Sequence, residues 1–317
     1  MRLLAGGAVF AGLLAAGPLL SPFALSVLSL VFLFAFLGQS WNVMTGFAGQ
    51  LSLGHGLFVG IGAYAVGVLQ TRYGVSPWLG VPVGAALASA AGAVIGWLGF
   101  RFAVRGVHFA VLTIAFAEFG RVLAGNWMLL GGAGGLYLPA MRAGGGGLAQ
   151  LRGGPLFTYT ALLLLAAVGT VFVIWLGRSR FGYVWRAMRD EEDAARALGV
   201  QVFRHKVLAT AVSAAMAGVG GGAWCQMNGA VFPDSTMGLG MSIDILVAPI
   251  VGGLGTAFGP LAGALFTVPL AQVTERLSQG WGVFGLNTLS YGLILILVIR
   301  FLPDGIWPAL TRRRATA

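Results

Sequence analysis

Residues 156–176 read LFTYTALLLLAAVGTVFVIWL, and residues 177–206 follow at once with GRSRFGYVWRAMRDEEDAARALGVQVFRHK. The first stretch is 21 residues without a charge, about what a helix needs to cross the roughly 30 Å hydrocarbon core of a bilayer. The second packs eleven charges into 30 residues: Arg178, Arg180, Arg186, Arg189, Asp190, Glu191, Glu192, Asp193, Arg196, Arg204 and Lys206. The rest of the chain repeats the first pattern. With 19 basic and 9 acidic side chains in 317 residues it is 9% charged, against roughly 25% for a soluble domain, and it cannot cover itself with a water-soluble surface. Hydrophobic residues make up 58% and Gly contributes 52 residues, with neither the period-three glycine of collagen nor the low hydrophobicity of disordered chains. The composition implies an all-α polytopic membrane protein, with residues 1–317 forming a single transmembrane domain.

The net charge of +10 comes from 18 Arg and one Lys, set in short clusters between apolar runs. That is the positive-inside distribution and not the contiguous basic face that nucleic acid requires, so no nucleic acid is expected as a partner. The single cysteine, Cys225, excludes an internal disulfide framework and reads as a small packing residue. His55, His108 and His205 lie too far apart in sequence for metal-ligand spacing, and no metal is expected.

Apolar runs occur near 3–20, 23–45, 50–70, 77–100, 108–125, 156–176, 207–227, 242–254, 256–274 and 286–302. If Arg2, Arg101 with Arg105, the 177–206 loop and Arg312 to Arg314 all face the cytoplasm, the crossings between them must be even in number, and ten runs satisfy this. The run 242–254 is short for a span, and eight crossings with a re-entrant segment is the alternative. Eight to ten transmembrane helices are therefore expected, some interrupted by glycine, with both termini in the cytoplasm. The 3–20 run also resembles a signal peptide, but it reads better as a first span. The 126–155 loop is placed outside; it carries ten Gly between Gly131 and Gly154 and no acidic residue, hence no visible active site.

The 177–206 loop carries the functional signal. Asp190 reads as an N-cap, with Glu191, Glu192 and Asp193 in a first turn where the helix dipole favours negative charge. Gly199 reads as the left-handed residue that ends the helix. Glu192–Arg196, Arg186–Asp190 and Arg189–Asp193 are spaced to pair. Such a helix, of about nine residues and roughly 13 Å, is marginal alone and calls for a partner surface.

Asp193-Ala194-Ala195, three residues, then Gly199 resembles the EAA-x-x-x-G signature of ABC importer permeases, with Asp in the Glu position. Residues 46–64, GFAGQLSLGHGLFVGIGAY, look like the signature of branched-chain amino acid ABC permeases, in particular the M-type of their paired subunits. Further likeness lies around Thr113 to Arg121 with Asn126-Trp127, in Phe181 to Gly199 and Lys206 to Gly218, and in Gly252 to Gly255 with Gly259-Pro260, so that roughly residues 40–305 are covered. Leu130 before Gly131-Gly132, then Ala133 and Gly134, and also His108-Phe109, depart from the family pattern. The resemblance implies a cytoplasmic coupling helix inserted into an ATPase subunit, with Asp193, Ala194, Ala195, Arg196, Gly199, Val202 and Phe203 as coupling residues. It also implies a bacterial inner (cytoplasmic) membrane location, a second, paralogous permease and a periplasmic or extracellular substrate-binding protein. The implied cargo is branched-chain or other aliphatic amino acids, or urea and short amides through similar permeases.

Two membrane features stand out. Seven Gly fall between Gly46 and Gly67, and glycine-interrupted segments can line a pathway; Gly49, Gln50, Ser52, Gly54 and His55 are candidate pathway residues. Glu118 and Arg121 are spaced i,i+3 inside an apolar run, where an unpaired charge costs at least about 2.5–3.5 kcal/mol, and they read as an intramembrane charge pair rather than a proton relay. Asp244 reads as a helix cap. No nucleophile–base pair is visible, so no catalytic residue is expected. The only lysine, Lys206, sits between His205 and Val207, outside any phosphate-binding GxxxxGK[ST] loop. No cofactor is expected in this chain, and ATP would be bound by partner subunits. A self-sufficient secondary transporter is the alternative from a different class.

Overall fold

The computed structural model describes residues 12–139, 150–281, 300–302 and 304–312, with residues 10, 147, 289, 292, 293 and 296. Its spans begin on a repeated local signal. Ser21-Pro22, Ser76-Pro77 and Gly154-Pro155 open helices α1 (Pro22–Asn42), α3 (Pro77–Arg101) and α5 (Pro155–Arg178), with Pro in the first turn, where its missing N–H costs nothing. Ser21 and Ser76 cap their helices through the side-chain oxygen. Helices α2 (His55–Tyr73) and α8 (Val202–Asn228) stop at Gly74 and Gly229, both left-handed, with φ of +64° and +69°. Helix α4 (Val107–Asn126), the loop helices α6 (Arg180–Asp190) and α7 (Glu192–Ala197), α9 (Pro233–Met237), α10 (Leu239–Gly252), α11 (Gly259–Trp281) and α12 (Ile306–Arg312) complete the described α-helices.

Among the described residues six segments are long and apolar enough to cross a membrane: Pro22–Phe47, Pro77–Arg101, Val107–Asn126, Pro155–Arg178, Val202–Asn228 and Pro233–Gly252. Helices α2 and α11, of 19 and 23 residues, pack among them. The protein is an all-α polytopic membrane protein. The 242–254 run proves long enough because α9 precedes α10, and together they make a 20-residue span broken at Gly238. Of the run at 3–20, residues 10 and 12–20 are described, helical over 12–16 and ending in a tight turn at Gly17–Leu19, while the run at 286–302 lies largely outside the described residues.

Helix α1 is the centre of the bundle. Every residue from Ala35 to Asn42 is buried, as expected of a helix that is apolar all round. The outer helices show the reverse. Leu79, Val83, Leu87, Val94 and Trp97 on α3, and Leu164, Val168, Val171 and Trp175 on α5, are exposed. Rows of large apolar side chains at helical spacing on the outside fit a lipid solvent and not water. Lipid tails supply no hydrophobic drive between helices, so close packing must. A Cβ at Gly62 would strike the Gly218 carbonyl, and one at Gly221 the Val59 carbonyl, so α2 and α8 meet backbone to backbone.

The bundle has two distinct ends. At the basic end lie the turn after α1, the Arg101–Arg105 corner, loop helices α6 and α7, the 253–258 loop and α12. At the opposite end β1 (Leu136–Tyr137) from the glycine-rich loop pairs antiparallel with β2 (Ala230–Val231) after α8. That two-strand pairing was not legible in the sequence.

Candidate functional site

The first half of the candidate site is a break in the membrane. Helix α1 loosens into a π turn at Val43–Phe47, the chain runs without helix to Gly54, and α2 starts at His55. Irregular backbone at membrane depth must have its polar groups satisfied by protein, and here it does. The Trp41 indole donates to the Ser52 carbonyl at 2.7 Å, the Thr45 hydroxyl to the Gln50 carbonyl at 2.9 Å, and the Leu53 N–H to the Thr113 hydroxyl at 3.1 Å. Asn42 clamps the second irregular loop, donating to Thr256 O at 2.9 Å and accepting from Gly255 N–H at 2.8 Å. Gly54 is required for close approach, since a Cβ there would enter the Thr113 carbonyl.

The candidate pathway residues are thereby placed. Gln50, Ser52, Gly54 and His55 are buried within the chain, and Gly49 alone of the set is exposed. Gln50 Nε2 turns back onto the Ala48 carbonyl at 3.0 Å. His55 Nε2 lies 3.2 Å from Ser213 Oγ, and Ser213 donates its single proton to the Ser40 carbonyl at 2.6 Å. The histidine must therefore be the donor, which leaves Nδ1 as a bare lone pair. Nδ1 and the Ser52 hydroxyl are buried without a hydrogen-bond partner among the described residues.

The second half is the charged loop. It departs from the sequence reading in three ways. Asp190 does not cap; it ends α6, because Arg189 Nε and Nη2 hold its carboxylate at 3.0 and 2.8 Å, and Glu191 is the N-cap residue in extended conformation. The helix is six residues long and not nine. The Arg186–Asp190 and Arg189–Asp193 pairs do not form: Arg186 spends its donors on the Gly182 and Gly177 carbonyls and stacks on Phe47 and Tyr183, while Arg189 reaches Gly46 O at 2.7 Å. The terminator is as expected, with Gly199 at φ +85°. Glu192–Arg196 forms at 2.9 Å, and Arg196 also holds Asp193 at 3.0 Å.

Of the coupling residues read from sequence, Ala195 and Val202 face inward, in a cluster with Phe47, Trp185 and Met188 that fixes α7 to the bundle. Asp193, Ala194, Arg196, Gly199 and Phe203 are exposed. The sequence reading missed Leu198, 87% exposed beside Gly199 and the most prominent apolar knob on the loop. It also missed what Glu192 does. Lys206 Nζ lies 2.6 Å and Arg105 Nη2 3.7 Å from the Glu192 carboxylate. Burial pushes the Glu192 carboxyl up, but the Lys206 hydrogen bond and the charges of Lys206, Arg105 and Arg196 outweigh it and hold the group below the usual carboxylate range. Arg189 joins the halves of the site, lying against Gly49 with its donor on Gly46 O in the broken segment.

Near the opposite end Arg121 Nε lies 2.9 Å from the Glu118 carboxylate. Arg121 also holds Asp234 of α9, tying the broken span to α4. Asp244 is not a cap. Gly238 occupies that position and Asp244 is the sixth residue of α10. Among the described residues no group of three or more His, Cys, Asp or Glu could hold a metal.

A helical membrane bundle with a glycine-broken span and a charged loop folded onto one end is the architecture of a membrane permease subunit. This chain belongs to the family described as branched-chain amino acid transport system / permease component, whose model matches residues 23–302. It is 29% identical over 303 residues, 89% of this chain and 69% of the relative, to the high-affinity branched-chain amino acid transport system permease protein LivM of Escherichia coli. The LivM protein of Salmonella typhimurium is 28% identical over 306 residues, 90% of this chain and 70% of that protein. The probable branched-chain amino acid transport permease protein LivH of Methanocaldococcus jannaschii is 29% identical over 147 residues, 46% of this chain and 44% of that protein. The resemblance is thus to the M-type along nearly the whole chain and to the H-type along less than half. No solved structure matches this chain.

Proposed function

We propose that the chain is the M-type membrane subunit of a binding-protein-dependent ABC importer, moving branched-chain or other aliphatic amino acids across a bacterial inner membrane. The observation that carries this is the charged loop: eleven charges within 30 residues of a chain only 9% charged, seven of them on two short helices, with Asp193, Ala194, Arg196, Leu198 and Gly199 exposed. The family match over residues 23–302 supports it. In this reading the basic end faces the cytoplasm by the positive-inside rule. Exposed residues of α7 and Leu198 enter an ATPase subunit, a paralogous permease completes the route, and a binding protein delivers solute at the β1–β2 end. The fuel is ATP held by other subunits. Arg189 and the broken segment, with Gly49, Gln50, Ser52, Gly54 and His55, connect the loop to the route.

Uptake in proteoliposomes tests the proposal. With ATPases, partner permease and binding protein present, labelled leucine accumulates only when ATP is enclosed with the ATPases, and urea does not compete. ATP-independent accumulation by this chain alone would overturn the proposal in favour of a secondary transporter.

A further inference from the structure

Helix α7 is six residues long, too short to hold its shape or transmit force by itself. Whatever moves it must act through its ties to the membrane helices. Its packing tie is Ala195, a single methyl group in the core. Its polar tie is Glu192, whose two oxygens face three different elements. Oε2 accepts from Lys206 of α8 at 2.6 Å, and Oε1 meets Arg196 of α7 at 2.9 Å and Arg105 of the α3–α4 corner at 3.7 Å.

Lys206 is the chain's single lysine, and its side chain is only 5% exposed. A buried ammonium is rare unless paired. Its Nζ also sits over the Phe100 ring of α3, 5.4 Å from the centroid, and Phe100 stacks on Phe109 of α4 at 4.6 Å and 19°. One carboxylate therefore reaches α8 directly, α3 and α4 through the lysine and the ring pair, and the corner between α3 and α4 through Arg105. The Arg196–Asp193 contact differs: both partners are exposed, at 51% and 72%, so water and salt screen it.

We infer that Glu192 and Lys206 are the junction through which displacement of α7 is passed to α3, α4 and α8, as positioning residues of the transport cycle. The inference rests on the reading of this chain as an ATP-driven permease. The pair is charge-assisted and directional, and Arg105 offers the carboxylate a second cation on the bundle.

The test uses the complete importer in proteoliposomes, scoring leucine taken up per ATP hydrolysed. Lys206→Met keeps the apolar stem and leaves Glu192 with two arginines. The expected result is an assembled complex with ATPase activity within about twofold of wild type and uptake per ATP at least tenfold lower, restored to half or more by Lys206→Arg. Arg105→Gln, at an exposed position, is expected to lower the ratio about threefold and serves if Lys206→Met does not assemble. An unchanged ratio in Lys206→Met, or in Arg105→Gln where Lys206→Met fails to assemble, overturns the inference and leaves the clamp a mere anchor. Absence of ATP-dependent uptake by the wild-type importer would instead overturn the functional reading beneath it.

Discussion

The broken segment at 43–55 and the charged loop at 177–206 both interrupt helices, and they solve that problem with different chemistry. In the broken segment most of the freed backbone groups are met by neutral donors and acceptors of fixed geometry, the Trp41 indole, the Thr45 and Thr113 hydroxyls and the Asn42 amide, and Arg189 of the loop reaches in to Gly46 O. In the loop, charge does much of the holding: Arg186 donates to the Gly177 and Gly182 carbonyls, and Glu192 is gripped by Lys206, Arg105 and Arg196. The medium dictates the choice. Deep in the bundle an ion costs several kcal/mol to desolvate, so neutral hydrogen bonds serve better. At the membrane edge water offsets that cost, and charge can be remade as parts move. In the proposed transport cycle the first region would stay and the second would shift.

The comparison can be broken from the rigid side first. Gly54→Val drives side-chain atoms into the Thr113 carbonyl, and its expected outcome is loss of monodisperse protein in detergent by size-exclusion chromatography. Trp41→Phe keeps most of the ring volume but strips the donor from the buried Ser52 carbonyl. That costs about 1–3 kcal/mol, read as a drop in thermal midpoint in detergent. On the loop side, Asp193→Asn loosens one exposed pair of Arg196, and its expected effect is a loss of stability below about 1 kcal/mol, read as little or no change in the midpoint.

The pH response sharpens the same contrast. The Glu192 carboxyl is depressed in the folded protein, so the stability it confers is complete above the ordinary carboxylate value of about 4.3 and is lost as pH falls through the lowered folded value. Limited proteolysis within 190–206 is therefore expected to stay constant from pH 8 to about pH 5 and to rise only below about pH 4. A rise near pH 6 would mean that some other group holds the loop.

The sequence makes the two regions legible to different depths. Charge-free runs opening on Ser-Pro or Gly-Pro mark the spans, because length and capping are local properties. Gly199 is legible for the same reason, and so is Glu192–Arg196, one helical turn apart. The hold of Lys206 on Glu192 spans 14 residues and that of Arg121 on Asp234 spans 113. No periodicity announces either contact, since only packing brings the elements together. Asp190 misleads as a cap because the adjacent Arg189 captures its carboxylate, a competition that propensity rules do not weigh. The glycines of 46–54 announce a broken segment, but burial of Ser52 and His55 depends on α4 and α8 closing over it. The β1–β2 pairing escapes because two-residue strands leave no pattern.

The most direct test of the central account, that the basic end is where an ATPase docks, uses the chain's single cysteine. Cys225 is buried, so Leu198→Cys and Met128→Cys each offer one accessible thiol, at positions 87% and 81% exposed on opposite ends of the bundle. Each variant is assembled with the ATPases, partner permease and binding protein and treated with a thiol–amine cross-linker. The account predicts a covalent adduct between the Leu198→Cys variant and an ATPase subunit, and none from position 128. An ATPase adduct from position 128, or none from position 198 in an assembled complex, would contradict it.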